Sequence, residues 1–176
     1  MSGWRDVLSE LAATRHRSLV AYGYLLTTER AAAEDLVHDA LVKVFARPRR
    51  ITDVAAADRY VRRTMASLFI DRARRSAQWR KVRGLVVDDE PARGPEAAAI
   101  ASTDVTAALR LLPPRERTCV VLRHLEDLST REVAERTGLA QGSVKRYLAD
   151  GMAKLGLDLT EVDERVPVEA PRAGRR

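Results

Sequence analysis

The stretch LSTREVAERTGLAQGSVKRYLADGMAKL, residues 128–155, predicts two helices joined by a tight turn. Ser129 or Thr130 can cap the first helix, and Glu132 stands at capping-box distance from Ser129. Gly138 falls where the chain must turn sharply, because glycine adopts the necessary positive φ at little cost. Apolar side chains then recur every four residues, which predicts the buried face of the second helix: Val144, Leu148 and Met152.

The polar residues of the second helix are left for solvent or for a partner. They are Gln141, Ser143, Lys145, Arg146 and Tyr147. Ala134 and Gly138 place a small residue and a glycine four positions apart, and Val144 follows six positions after the glycine. This spacing is typical of a helix-turn-helix that reads the major groove of duplex DNA. An ordinary helical hairpin with a solvated basic face is the alternative, and the spacing favours DNA binding over it.

The composition limits the fold and the partners. The 176 residues are enough for one mid-sized domain or two small ones, and 45% of them are hydrophobic. A formal charge of +6 and a pI of about 10.0 suit a nucleic-acid partner, although many soluble proteins are basic. Cys119 is the single cysteine, so no internal disulfide can form.

The sequence offers no targeting or membrane signal. No apolar run approaches the roughly 18 residues that a membrane helix needs. The N-terminal MSGWRDVLSE carries charges where a signal peptide needs an apolar core. We therefore predict a cytoplasmic protein with no membrane partner.

Glycine and proline divide the chain into two helical regions, and the alternation typical of β-strands is lacking. We predict an all-α fold with a first domain at residues 1–83 and a second domain at residues 104–159. The segment at 84–103 reads as a flexible, mildly acidic linker, and the tail at 160–176 reads as disordered. The architecture expected is two small helical domains on a tether, the second containing the helix-turn-helix.

Two local expectations follow from the same pattern. Thr52 or Asp53 can cap a long helix in the first domain, and we expect a break or bend in that helix near Asp58. In the second domain we expect a helix at residues 115–126 that buries Leu125.

Residues 59–83 form the most basic part of the chain. They contain nine arginines and lysines and a single acid, Asp71, for a net charge of +8. Tyr60, Phe69 and Trp79 are interleaved with these cations, a combination that suits phosphate contacts and stacking on exposed bases. The alternative is that the aromatics are core residues and the charges a solvated face. That alternative fits Phe69 better than Trp79, which lies in the polar context QWRK.

The helix predicted from about Arg30 to Ala46 has an acidic polar side, formed by Glu29, Glu34, Asp35, His38 and Asp39. Asp35, His38 and Asp39 have the spacing of metal ligands on one helix. A metal site needs further ligands from elsewhere, and the sequence has no second cluster of such residues. We therefore expect a solvated or protein-binding face, with no metal, no cofactor and no catalytic nucleophile–base pair.

Taken together, these segments resemble a bacterial extracytoplasmic-function (ECF) sigma factor of the sigma-70 family, over about residues 8–155. AEDLVHDALVKVF is similar to the region 2 helix that grips RNA polymerase, and YVRRTMASLFIDRARR is similar to the adjoining promoter-melting helix. LRLLPPRERTCVVLRHLEDLSTREVAERTGLAQGSVKRYL is similar to region 4. The region 4 match is shared in part with other helix-turn-helix regulators, so the ordered pair of domains carries the resemblance.

The resemblance implies roles for the matched residues. Contacts to the clamp helices of the largest polymerase subunit would come from Asp35, His38 and Asp39. Contacts to the −10 element would come from Arg62, Arg63, Ser67, Arg72, Arg74, Arg75 and Trp79. The −35 element would be read by Gln141, Ser143, Lys145, Arg146 and Tyr147. Among these, Arg146 is the best candidate for bidentate contact to guanine.

The same resemblance implies the partners and marks some departures. The partners would be core RNA polymerase, double-stranded promoter DNA, the melted −10 strand and an anti-sigma factor. Many family members have asparagine at the position of Ser67, arginine or glutamine at that of Tyr147, and often glutamine at that of His38. The differences at Ser67 and Tyr147 bear on the promoter sequence and leave the fold unaffected.

Two other classes of protein share some of these features. A stand-alone repressor or activator would keep the helix-turn-helix and use its first domain for sensing or dimerisation. An anti-sigma factor or adaptor would use only the acidic face, and the two basic helices would then have no purpose. An acidic helix next to a basic helix favours the sigma factor over both.

Overall fold

The computed structural model describes residues 3–46, 51, 53–82 and 104–156. Over these ranges the chain forms seven α-helices and no strand, which confirms the all-α prediction. The N-terminal half contains α1 (Trp4–Thr27), α2 (Arg30–Phe45) and α3 (Val54–Val82). The C-terminal half contains α4 (Asp104–Arg110), α5 (Pro114–His124), α6 (Thr130–Thr137) and α7 (Gln141–Lys154). The segments predicted as linker and tail lie outside the described residues, so the domain boundaries stay a prediction.

The three helices of the N-terminal half pack on one another through apolar faces. Leu19 and Leu26 of α1, Leu36 of α2 and Met65 of α3 are fully buried. Gly23 permits the close approach of these helices, because a Cβ there would lie 3.1 Å from Met65 Cε and 3.2 Å from the carbonyl oxygen of Ala33.

Helix α3 begins where the sequence predicts it, but it does not break where a break was expected. The backbone N–H of Ala56 donates to Asp53 Oδ1 at 2.7 Å, so Asp53 caps the helix. The expected break near Asp58 is wrong, since α3 runs from Val54 to Val82 without interruption. Asp58 accepts a hydrogen bond from Arg62 Nε at 2.8 Å, and this i, i+4 ion pair supports the helix where a break was expected.

The C-terminal half is built around α5, which packs along α7. Gly151 of α7 allows the close approach, since a Cβ there would lie 3.0 Å from Val120 Cγ2. Cys119 and Leu122 are fully buried in this core, and burial raises the pKa of the Cys119 thiol to about 12. The expected burial of Leu125 is wrong: α5 ends at His124, and Leu125 follows as the C-cap with 54% of its surface exposed.

The two halves pack against each other. Within the described residues, α5 contacts α1 and α3, and α6 contacts α3. One continuous cluster of buried apolar residues includes members of both halves, among them Val61 in α3 and Val121 in α5. The picture of two separate domains therefore needs this addition: in this structure the domains adjoin. In the part of the chain described, no helix is long and apolar enough to cross a membrane.

Candidate nucleic-acid interface

The turn between α6 and α7 has the geometry that the sequence predicts. Ser129 Oγ accepts a hydrogen bond from the backbone N–H of Glu132 at 3.3 Å, and the backbone N–H of Ser129 donates to Glu132 Oε2 at 2.8 Å. Ser129 Oγ also donates to Glu132 Oε2 at 2.7 Å, and this side-chain hydrogen bond, followed by the one from the Ser129 backbone N–H, lowers the pKa of the Glu132 carboxyl. Gly138 ends α6 with φ of 66°, in the left-handed region. The capping box and the glycine turn fix where α7 begins.

Helix α7 presents the predicted polar residues on its outer side. Val144, Leu148 and Met152 are buried against the rest of the C-terminal half, as predicted. The residues between them are exposed or half-buried: Gln141, Lys145 and Arg146 are exposed, and Ser143 and Tyr147 are half-buried. Ala140 at the N-cap offers no side-chain acceptor, so a phosphate could take up the first backbone N–H groups of α7.

Tyr147 is held in place by two arginines. Arg115 Nη1 donates to Tyr147 Oη at 3.2 Å, and the Arg146 guanidinium carbon lies 5.2 Å from the Tyr147 ring centroid. Arg115 is a residue that the sequence did not single out, because its contact with α7 spans 32 positions. Tyr147 therefore connects the outer face of α7 to the start of α5 and stands beside the candidate guanine-reading arginine.

The basic helix α3 divides its arginines between solvent and internal contacts. Arg63 is exposed. Arg62 is half-buried, donates from Nη2 to Ser18 Oγ at 3.0 Å, and lies 5.1 Å from the Tyr22 ring centroid. Ser67 is half-buried on the same helix. In this structure the Arg62 guanidinium thus contacts other residues of the N-terminal half, while the Arg63 side chain is exposed to solvent.

Further along α3, one arginine contacts α2 and another contacts the C-terminal end of α6. Arg72 pairs with Asp39 of α2, which links the basic helix to the acidic face. Arg74 donates from Nη2 to the carbonyl oxygen of Gly138 at 3.3 Å. Arg75 donates to the carbonyl oxygen of Asp71 and is exposed. Trp79 belongs to α3, but its side chain lies outside the described part of the structure.

The acidic face of α2 is exposed as its sequence pattern indicates. Asp35, His38 and Asp39 are all exposed on this face. Val42 continues the same row at i+7 from Asp35 and is 55% exposed, an apolar residue among charges that the sequence analysis did not select. Among the described residues, no three His, Cys, Asp or Glu side chains form a group that could hold a metal ion.

Comparisons with known proteins match both the C-terminal half of the chain and most of its whole length. A family described as "Sigma-70, region 4" matches residues 102–155. The RNA polymerase sigma-E factor of Streptomyces avermitilis is 33% identical over 88% of this chain and 86% of its own length. The ECF RNA polymerase sigma factor SigL of Mycobacterium tuberculosis is 30% identical over 80% of this chain and 82% of its own length.

A solved structure shares the fold. It contains the sigma factor RpoE in complex with the anti-sigma factor NepR from Bartonella quintana, and it is similar with a TM-score of 0.54. The match covers 84% of this chain and 92% of that chain, at 20% sequence identity. Because relatives named as sigma factors match 88% and 80% of the chain and region 4 is matched over the capped turn, the chain belongs to the extracytoplasmic-function sigma factors of the sigma-70 family.

Proposed function

We propose that this sigma factor joins core RNA polymerase through α2 and directs it to promoters through α7 and α3. The exposed polar face of α7, positioned by the capped turn at Ser129 and Gly138, is the observation that carries the proposal. In this scheme α7 lies in the major groove of the −35 element. Arg146 makes a bidentate contact to a guanine, and Ser143 and Lys145 bind neighbouring phosphates or bases.

The −10 element would be bound by α3. Arg63 and Arg75 are exposed there and supply cations for the phosphate backbone. Opening the duplex costs on the order of a few kcal/mol for each unstacked base. Stacking of a melted base on Trp79 would offset about 1–3 kcal/mol of that cost. The protein's contribution is binding and strand capture, without covalent chemistry, and the sigma factor names of its relatives support this.

The polymerase would be bound by the exposed row of Asp35, His38, Asp39 and Val42 on α2. Two carboxylates set the charge of this surface, so its partner surface should be basic. Val42 adds an apolar contact at the end of the row. The work of such a protein is done in the cytoplasm, where polymerase and chromosome are found. An anti-sigma factor is a further partner that we propose, because the structural relative is named in complex with one.

Run-off transcription with sigma-free core polymerase tests this function. Genomic promoter fragments are transcribed with and without the protein, and transcripts that need both components are expected. Asp35→Lys should abolish them by reversing the charge on the α2 face, whereas Arg15→Met, an exposed change on α1, should not. If the protein bound DNA tightly alone and supported no transcript with any core, the stand-alone regulator would be the correct function.

A further inference from the structure

Two arginines from different helices contact Tyr147 of α7. Arg115, in the first turn of α5, donates from Nη1 to Tyr147 Oη at 3.2 Å. Arg146, the neighbour of Tyr147 in the chain, places its guanidinium carbon over the ring at 5.2 Å from the centroid. Arg146 is exposed, whereas Arg115 and Tyr147 are half-buried. The three side chains connect the start of α5 to the outer face of α7, and we call them the arginine–tyrosine cluster.

Tyr147 is held at both ends of its side chain. Its ring packs against the cluster of buried apolar residues, and its hydroxyl oxygen accepts the hydrogen bond from Arg115. A side chain that is packed through its ring and bonded through its hydroxyl has little freedom to turn toward a base. These contacts suit Tyr147 to hold a neighbouring side chain better than to read DNA itself.

The helices that carry the arginine–tyrosine cluster are fixed to each other by a second contact. Glu116, the residue after Arg115, is only 7% exposed, and both of its carboxylate oxygens accept from Lys154 Nζ at 2.8 Å. Because the carboxylate is buried, this ion pair is screened less than a surface pair. Adjacent residues of α5 thus bind α7 at two points about two helical turns apart. Arg115 therefore meets the Tyr147 hydroxyl from a fixed position.

The position of Arg115 is electrostatically unfavourable for its own helix. The first turn of a helix carries partial positive charge, so acidic residues stabilise it and basic residues do not. Glu116 follows that rule, whereas Arg115 stands beside it with the opposite charge. Helix α5 by itself gains nothing from a cation at this position. The hydrogen bond to Tyr147 gives the guanidinium a partner on the other helix.

The contact between Arg146 and Tyr147 is not imposed by helix geometry. Successive residues of a helix do not face each other, so the Arg146 side chain must bend along the surface of α7 to lie over the ring. Gly142, one turn earlier on the same side of α7, offers no side chain that could hold Arg146 instead. The Tyr147 ring is therefore what orders the exposed guanidinium in the free protein.

We propose that Arg115 is a positioning residue for recognition of the −35 element: it holds the Tyr147 hydroxyl, which fixes the ring on which Arg146 stacks and so aims Arg146 at its guanine. The positioning role rests on the proposed function, since it takes Arg146 as the guanine-reading residue. Stacking occupies the face of a guanidinium and leaves the N–H groups at its edge for hydrogen bonds. Tyr147 in this arrangement supports Arg146 and does not itself read a base.

The physical benefit is in base discrimination. A bidentate contact requires two guanidinium N–H groups to meet O6 and N7 of guanine at the same time, so a badly aimed arginine loses one of the two bonds. An arginine that is ordered before binding also loses less side-chain freedom when it binds. Both effects favour guanine over the other bases, and neither strengthens contacts to phosphate.

We expect two substitutions to reduce discrimination without a uniform loss of binding. Arg115→Met and Tyr147→Phe each remove the hydrogen bond between these side chains, and Tyr147→Phe keeps the ring. Each should lower the preference for guanine at the base pair read by Arg146 roughly two- to tenfold, the effect of ordering one flexible side chain on binding. Arg15→Met is the matched control, because it removes the same charge as Arg115→Met from an exposed position on α1.

The measurement is run-off transcription by the full chain with core polymerase, on a promoter library randomised over the −35 element. The double variant Arg115→Met/Tyr147→Phe should lose no more discrimination than either single variant, because both changes remove one and the same hydrogen bond. In an Arg146→Ala background, neither change should alter the base preference further. A purely structural role would lower stability, measured by urea unfolding, without this dependence on Arg146.

Three results would overturn the positioning role. The first is an unchanged base preference in Arg115→Met and Tyr147→Phe. The second is an equal loss on all sequences in Arg115→Met alone, with a salt dependence of binding reduced by about one, which would show that Arg115 binds a phosphate. The third is a loss of discrimination in Tyr147→Phe that persists in the Arg146→Ala background, which would show that Tyr147 reads a base directly.

Failure of the proposed function has a different signature. Absence of transcripts from the wild-type chain, or an unchanged base preference in Arg146→Ala, would refute the role assigned to α7 or to Arg146, and the positioning role with it. Normal wild-type transcription and a relaxed preference in Arg146→Ala, together with an unchanged preference in Arg115→Met and Tyr147→Phe, would refute the positioning role alone.

Discussion

Arg146 has the clearest assignment of any single residue. It is exposed on α7, and stacking against the Tyr147 ring limits its rotamers before DNA arrives. Because a bidentate contact to guanine discriminates by base, Arg146→Ala should cost roughly 1–3 kcal/mol at one base pair of the −35 element and relax specificity there. Transcription from a library randomised over the −35 element measures this. An equal loss on every sequence would show that Arg146 contacts only phosphate.

Two glycines of the helix-turn-helix should respond in opposite ways to the same change. Gly138 has φ of 66°, so Gly138→Ala should destabilise the protein by about 1–2 kcal/mol. Gly142 lies in α7 with no atom within 4 Å of an added Cβ, so Gly142→Ala should stabilise it by up to about 1 kcal/mol. Urea unfolding of both variants measures the pair. The same sign for both would mean that the turn does not constrain the backbone at Gly138.

The interactions of single residues were mostly predictable from the sequence where a local rule applies. They were not predictable where the two partners are distant along the chain. Ser129, Glu132 and Gly138 lie within ten positions of one another, and their capping box and turn could be predicted. Arg117 could not, because a buried arginine bonded to Leu26 across 91 positions leaves no local pattern. The assigned contacts of the −35, −10 and polymerase-binding residues remain predictions.

At the scale of elements, the capping box of α6 is the device that positions α7. Ser129→Ala should cost about 1 kcal/mol, the usual worth of an N-cap side chain. The loss should appear in urea unfolding at pH 7, and it should also weaken DNA binding because α7 begins from this turn. A variant with unchanged stability would show that Ser129 does not cap α6 in solution.

The hydrogen bonds of Glu132 in α6 predict how the stability of the protein depends on pH. The folded pKa of Glu132 lies below its ordinary value of 4.5, so its stabilising effect is fully present above about pH 4.5. That contribution is lost as the pH falls through the folded pKa. Glu132→Gln should therefore flatten the dependence of stability on pH below about 4.5. Parallel pH profiles for the wild-type and variant chains would contradict the assigned hydrogen bonds.

Helix positions followed from apolar periodicity, whereas two local expectations failed for physical reasons. A break or bend was expected near Asp58, but Asp58 pairs with Arg62 four residues later and the helix continues without interruption. Leu125 continued the apolar pattern of α5, but the helix ends one residue earlier and turns the side chain outward. Periodicity identifies a face only as far as the helix extends.

At the scale of the whole molecule, the sequence predicted two domains and the structure adds how they meet. The arginines of α3 suggested DNA contacts because they form a basic run with interleaved aromatics, yet Arg74 also binds the end of α6. Charge does not distinguish a phosphate from a helix C-terminus, because both are anionic acceptors for a guanidinium. This contact between the two halves therefore became visible only when residues some 60 positions apart were brought together.

In the proposed function, one chain places α7 on the −35 element and α3 on the −10 element of the same promoter. Photocrosslinking within the polymerase–promoter complex tests this most directly, with a photoreactive amino acid at Gln141 in α7 or at Gln78 in α3, both exposed. We predict crosslinks near −35 from the first position and near −10 from the second. Crosslinks from both positions to one DNA segment, or to none, would contradict the account.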